Sequence, residues 1–152
     1  MRVAVDAMGG DHAPHEIVLG ALEAAREYEC EIVLVGDENA IMPVLEQHIG
    51  WQKLGISVHH TTEIIGMHEH PGAAVRKKKD ASVVVATGLV KKGECDVVIS
   101  AGHTGAAVAA ALFGLGRIKG VERPSIATPI PNLTGTTVLL DSGANVDSKP
   151  KH

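Results

Sequence analysis

The chain has 152 residues, 45% of them hydrophobic, which suits one folded domain with a real core and excludes a disordered tail. A formal net charge of -4 excludes a chain-wide electrostatic footprint for nucleic acid. Two cysteines, Cys30 and Cys95, lie far apart without C-x-x-C spacing, which argues against a disulfide framework or a structural zinc site and points to a reducing cytoplasm.

Met1-Arg2 leads straight into an apolar strand signal, so no signal peptide is expected. The longest apolar stretch, Ala106 to Leu115, is too short and glycine-rich for a membrane span. With one Trp, one Tyr and one Phe, the core must be built from Val, Ile, Leu and Ala, a composition that favours helices packed closely on a parallel sheet.

Residues 2 to 6 read as the first strand, followed by the loop Ala7-Met8-Gly9-Gly10-Asp11-His12-Ala13-Pro14. The spacing from His15 to Tyr28 predicts a helix with Ile17, Val18, Ala21, Leu22 and Ala25 inward and Pro14 at its first turn. Glu31 to Val35 reads as a second buried strand. A helix is expected from Asn39 to His48, with Pro43 tolerable only near its start. Ile56 to His60 reads as a third strand nearer an edge, and Glu63 to Pro71 as a loop. A basic helical stretch runs from Ala73 through Arg76-Lys77-Lys78-Lys79. Another helix is expected from Ala81 to Lys92, with Val84, Val85, Gly88 and Leu89 inward and Gly93 as terminator.

The next stretch, Asp96 to Leu115, organises the rest. Val97, Val98, Ile99 and Ser100 give a short buried-strand signal, the turn Ala101-Gly102-His103-Thr104-Gly105 follows, and an alanine-rich helix begins. At such a junction unpartnered backbone N–H groups and the helix dipole favour an anion, most naturally phosphate. Ser125 to Pro129 and Thr136 to Leu140 read as further strands before the turn Asp141-Ser142-Gly143-Ala144-Asn145. Alternating strands and helices predict an α/β fold with a mostly parallel sheet and helices on both faces. Its polar turns would follow strand carboxyl ends at Asp6, Val35, Ile99 and Leu140, where open α/β sheets collect ligands. The single α/β domain covers residues 1–152 and, ending at Ser148-Lys-Pro-Lys-His152 without a closing helix, reads as the N-terminal part of a longer chain.

Each candidate site has a plainer alternative. The Gly102–Gly105 turn is equally a tight connection, and His103 either a general acid, a neutral donor to a substrate oxygen, or a solvated side chain. Gly9-Gly10 implies positive φ or close approach to a ligand, while Asp11 is equally a cap-region residue and Asp6 an orienter of backbone amides. Arg76 to Lys79 is either a solvated face or an anion patch steering a phosphate or an acidic partner. His59, His60, His68 and His70 show no H-E-x-x-H pattern and no carboxylate or thiolate set, so neither a metal nor any other cofactor is expected. With no G-x-S-x-G elbow, Walker lysine or G-x-G-x-x-G fingerprint, the best-supported chemistry is phosphate recognition without a covalent nucleophile.

Four motifs carry a resemblance: AVDAMGGDHAP at Ala4 to Pro14, SAGHTGA at Ser100 to Ala106, GRIKGVERP at Gly116 to Pro124 and LLDSGANVDSKP at Leu139 to Pro150. Together they resemble the PlsX phosphate acyltransferases of bacterial phospholipid synthesis, along the whole chain but over only the first half of a typical member. The resemblance implies a fold related to isopropylmalate dehydrogenases and phosphotransacetylases. It also implies transfer of a fatty acyl group from acyl carrier protein to inorganic phosphate, giving acyl phosphate for a glycerol-3-phosphate acyltransferase. A homodimer, cytoplasmic and peripherally membrane-associated, is part of the same implication. Carried over by position, it places phosphate and substrate at Gly9, Gly10, Asp11, His12, Ser100, Gly102, Thr104, Gly105, Asp141 and Gly143. Catalytic roles fall to His103 and Asn145. Separately, the acidity of acyl carrier proteins makes the basic residues Arg76, Lys77 and Lys78 the expected carrier-protein contact. His103 departs from the asparagine usual there. Two alternatives remain: acyl transfer from coenzyme A to phosphate, and a non-catalytic phosphate or nucleotide binding module.

Overall fold

The computed structural model describes residues 1–141. They form two compact units that divide after Leu115. The first holds a four-stranded parallel sheet of β1 (Arg2–Asp6), β2 (Glu31–Gly36), β3 (Ile56–His60) and β4 (Val97–Ser100), in the order β3-β2-β1-β4. Around it lie α1 (His15–Glu27), α2 (Glu38–Glu46), α3 (Pro71–Lys77), α4 (Ser82–Lys91) and α5 (Thr104–Gly114). The expected α/β class with a parallel sheet is what this unit shows.

Strand alternation sorts the core onto the two faces of the sheet. Val3, Val5, Ile32, Leu34 and Ile56 point to one face and bury against Val18, Ala21 and Leu22 of α1 and Ile41, Val44 and Leu45 of α2. Ala4, Val33 and Val35 point to the other, against Ala86 and Leu89 of α4. Leu22, Leu34, Ile41 and Leu45 are almost wholly buried, each contributing about 1.5–3 kcal/mol of transfer free energy. A third cluster joins Ala74 and Val75 of α3 and Val83 of α4 to Ala106, Ala109 and Ala110 of α5. There the alanines let helices approach closely.

Four expectations are corrected. β4 is an edge strand with Val97 and Ile99 exposed, because an apolar run cannot reveal whether a neighbour covers it. Pro43 lies inside α2, the sixth of its nine residues. The missing N–H there removes one bond of the helix, which the apolar anchors Ile41, Val44 and Leu45 offset. The buried residues of α4 are Ser82, Val83, Ala86, Thr87 and Leu89, whereas Val84 and Val85 are half-buried. This helix packs on the sheet with one side and on α5 with another, so no single stripe describes it.

The fourth correction concerns the second unit. β5 (Ala127–Asn132) and β6 (Gly135–Leu140) pair antiparallel in a two-stranded sheet of their own, so the carboxyl end at Leu140 does not belong to the parallel sheet. Asn132 closes the turn by accepting from the amide and hydroxyl of Thr134.

Candidate anion site at the switch point

In the order β3-β2-β1-β4 the chain moves from β1 to one side and later returns to the other, so β1 and β4 flank the topological switch point. Ligands of open α/β sheets gather at that place, outside the strand carboxyl ends. Asp6 pairs in register with Ser100 at the ends of these two strands. The loops that follow them meet.

The meeting is backbone against backbone. A Cβ on Gly9 would lie 2.5 Å from Asp6 Oδ2 and 2.9 Å from the Gly102 nitrogen; one on Gly102 would lie 2.9 Å from Gly9 Cα. Only glycine fits at either position. Gly10, with φ +123, is in a conformation that favours glycine and passes beside the Ala101 carbonyl. Asp6, 4% exposed, ties the junction together. Its Oδ2 accepts from the Ser100 hydroxyl at 2.7 Å and its Oδ1 from the Met8 amide at 3.3 Å, while Ser100 Oγ accepts from the Gly102 amide at 3.2 Å. Asp6 therefore orients amides, one of its two sequence readings.

His103 is the N-cap of α5. Its Nδ1 accepts from the Gly105 amide at 3.1 Å, and its Nε2 stands 3.3 Å from the Glu69 carbonyl. This pair of partners requires the neutral tautomer with hydrogen on Nε2. Both ring nitrogens are engaged by the protein, which favours a positioning role over general acid chemistry. Gly105 lies under Pro71, whose Cγ would be 2.7 Å from an added Cβ. Glu69 in turn accepts from Lys78 Nζ at 2.6 Å and from the Gly66 amide at 2.7 Å, and these bonds hold its carboxyl below the usual value of 4.5. The segment between β3 and α3 is thus fastened to the first turn of α5.

These residues enclose a small cavity lined by Asp6, Gly9, Ser100, Gly102 and His103 with Ile65 and Ser82. Near its rim the amides of Gly102 and Gly105 are committed to Ser100 and His103, whereas among the described residues no acceptor meets those of His103 and Thr104. The Thr104 side chain is exposed, as are Asp11 and His12. The structure therefore brings Gly9, Gly10, Ser100, Gly102, His103, Thr104 and Gly105 to one end of the sheet.

Asp141 belongs to the second unit, where it is buried, accepts from the Ile126 amide at 3.0 Å and pairs with Arg123. Gly143 and Asn145 lie outside the described residues. Of the basic run, Arg76 and Lys77 are exposed, with Arg76 4.7 Å from the Phe113 ring centroid. Lys78 is committed to Glu69 and the Ile64 carbonyl, and Lys79 to the Val75 carbonyl. Glu69, Ile65 and Ser82 had no sequence signal as site residues, because each reaches the site from a segment without a recognisable motif. Among the described residues no group of His, Cys, Asp or Glu is placed to hold a metal ion, and no helix is long and apolar enough to cross a membrane.

A family model described as "Fatty acid synthesis protein" matches residues 1–152. The chain is 56% identical over 154 residues to a phosphate acyltransferase of Pelotomaculum thermopropionicum, covering all of this chain and 44% of that protein. It is 55% identical over 152 residues to a phosphate acyltransferase of Desulfitobacterium hafniense, covering all of this chain and 45% of that protein. A phosphate acyltransferase of Geobacter sulfurreducens is 53% identical over 152 residues, again across this whole chain and 44% of the relative. The chain thus spans a little under half the length of the curated relatives it matches. With a family model matched along residues 1–152, the chain belongs to the fatty acid synthesis protein family.

Proposed function

We propose that the protein of which this chain forms the N-terminal α/β part transfers a fatty acyl group from acyl carrier protein to inorganic phosphate. The observation that carries the reading is the contact of Gly9 with Gly102, which brings two glycine turns together at the switch point of a chain whose relatives are phosphate acyltransferases. Phosphate would bind at the rim, on the amides of His103 and Thr104 and at the start of α5, with the Thr104 hydroxyl and the Gly9-Gly10-Asp11-His12 loop around it. Backbone donors there need no reorganisation as charge develops.

A hydrogen phosphate oxygen attacks the thioester carbonyl, forming the C–O bond and a tetrahedral oxyanion; the carbonyl re-forms as the C–S bond breaks, and the carrier thiolate leaves and takes up the proton the phosphate gives up. No enzyme nucleophile is needed, because phosphate itself is the attacking group. By the family resemblance, Asn145 is assigned a catalytic role and Asp141 and Gly143 substrate binding. Arg76 and Lys77, two exposed members of the basic run, would face the acidic carrier protein. A homodimer at the membrane surface, feeding acyl phosphate to a glycerol-3-phosphate acyltransferase, completes the proposal.

The test is phosphate-dependent thiol release by the full-length protein, with long-chain acyl carrier protein and acyl coenzyme A as parallel donors. Faster release from the carrier protein is expected. Equal or faster release from coenzyme A would reassign the donor, and no release above background from either would end the proposal.

A further inference from the structure

We propose that His103 is a positioning residue that works as a protonation-sensitive clasp. Its neutral imidazole holds the segment before α3 against the first turn of α5, and a proton on Nδ1 releases the cap. The geometry requires opposite roles of the two ring nitrogens. Nδ1 accepts from Gly105 at 3.1 Å and Nε2 donates to the Glu69 carbonyl at 3.3 Å, and only the neutral ring does both. Protonation turns Nδ1 into a donor facing a donor. It also sets a positive charge at the positive end of the helix dipole. The amides of His103 and Thr104 sit on the same turn, so the anion rim loses its shape together with the cap.

The ionisable groups on the surrounding elements are Asp6, Asp11 and His12 from β1 and its loop, Glu63, His68, Glu69 and His70 on the fastened segment, Arg76, Lys77, Lys78, Lys79 and Asp80 on and after α3, and Lys91 of α4. The first turn of α5 carries no acidic residue. The Glu69 carboxylate is already committed to Lys78 and the Gly66 amide, which holds it ionised below its usual range. It therefore does not titrate in the window where an imidazole does. His68 and His70 are further imidazoles on the fastened segment, so a control that leaves them in place is needed.

His103→Asn supplies it. Asparagine is among the best N-cap residues and does not titrate, but it is too short to reach the Glu69 carbonyl. It keeps the cap, cuts the strap, and leaves His68 and His70 in place.

The test is amide hydrogen-exchange protection at Gly105 and Gly66, read at about pH 8 and pH 5 in the protein, His103→Asn and His103→Ala. Wild-type protection at Gly105 is expected to fall about fivefold or more on acidification, the worth of one lost cap. His103→Asn should keep Gly105 protected at both pH values while Gly66 exchanges faster at both, and His103→Ala should lose Gly105 protection at both. Equal wild-type protection factors at the two pH values overturn the clasp without relying on any variant, as does an acid-dependent loss at Gly105 that persists in His103→Asn. The regulatory consequence rests on the proposed function: phosphate-dependent turnover of the full-length protein should drop more steeply below neutrality than that of His103→Asn. Absence of turnover in every arm at pH 8 would refute that function and leave the exchange result standing.

Discussion

Gly9 and Gly20 show how one residue type takes opposite signs. Gly9 faces Asp6 Oδ2 and the Gly102 backbone at distances no Cβ can occupy, whereas Gly20 sits mid-helix in α1, exposed, with nothing within 4 Å of an added Cβ. Gly9→Ala is expected to destabilise by about 1–3 kcal/mol, since the backbone must shift to relieve the overlap. Gly20→Ala should stabilise by about 0.5–1 kcal/mol by restricting the unfolded chain and improving helix propensity. Urea denaturation midpoints read both, and a neutral Gly9→Ala would mean the two loops do not touch. The need for glycine at Gly9 and Gly102 was legible from spacing. The identity of the partner was not, since a pair of residues so far apart in sequence leaves no local pattern. His103 illustrates the same limit: its cap to Gly105 is a local matter of two residues, but its reach to Glu69 depends on where a separate segment is folded.

At the scale of elements, the segment between β3 and α3 is held by carboxylates. Glu69 binds Lys78 and the Gly66 amide; Asp80 accepts from the Thr62 amide at 2.7 Å and its hydroxyl at 2.6 Å. Hydrogen bonding dominates both shifts, lowering Glu69 from 4.5 and Asp80 from 3.8. A carboxyl whose folded value is depressed contributes stability that is present above its unfolded value and lost as pH falls through the folded one. Stability should therefore drop on acidification below about pH 4.5, through the range where both carboxyls protonate. Lys78→Met, which removes the largest cause at Glu69, should flatten part of that slope. Denaturation midpoints at successive pH values check this, and an unchanged slope in Lys78→Met would detach Glu69 from the effect. Elements with one buried stripe, such as α1, were readable from periodicity. α4 was not, because it is covered on two sides, and β4 was read as buried because a strand of Val and Ile looks alike at the centre and the edge of a sheet.

Across the whole molecule, the two units differ in how much apolar surface they cover. The first buries three side-chain clusters. In the second, every residue of β5 and β6 is exposed, including Ile130, Val138, Leu139 and Leu140, and Leu133 at their turn is fully so. Two-stranded ribbons are marginal alone, and apolar edges invite pairing with other chains. The 152-residue chain is expected to associate with rising concentration, and the double variant Leu133→Lys, Val138→Lys to do so less while keeping the far-ultraviolet circular dichroism of the parent. Light scattering decides it, and a monodisperse parent at high concentration would overturn the expectation. The hairpin escaped sequence reading because Thr136 to Leu140 has the composition of a strand in either kind of sheet, and pairing direction is set by the turn at Asn132. The bond from Ser100 to Asp6 spans 94 residues, and that span sets an order of events during synthesis. The first glycine loop leaves the ribosome early yet has no counterpart to lie against until β4 emerges, so the shape of the anion rim is acquired late, by a closure whose entropic cost grows with the intervening length.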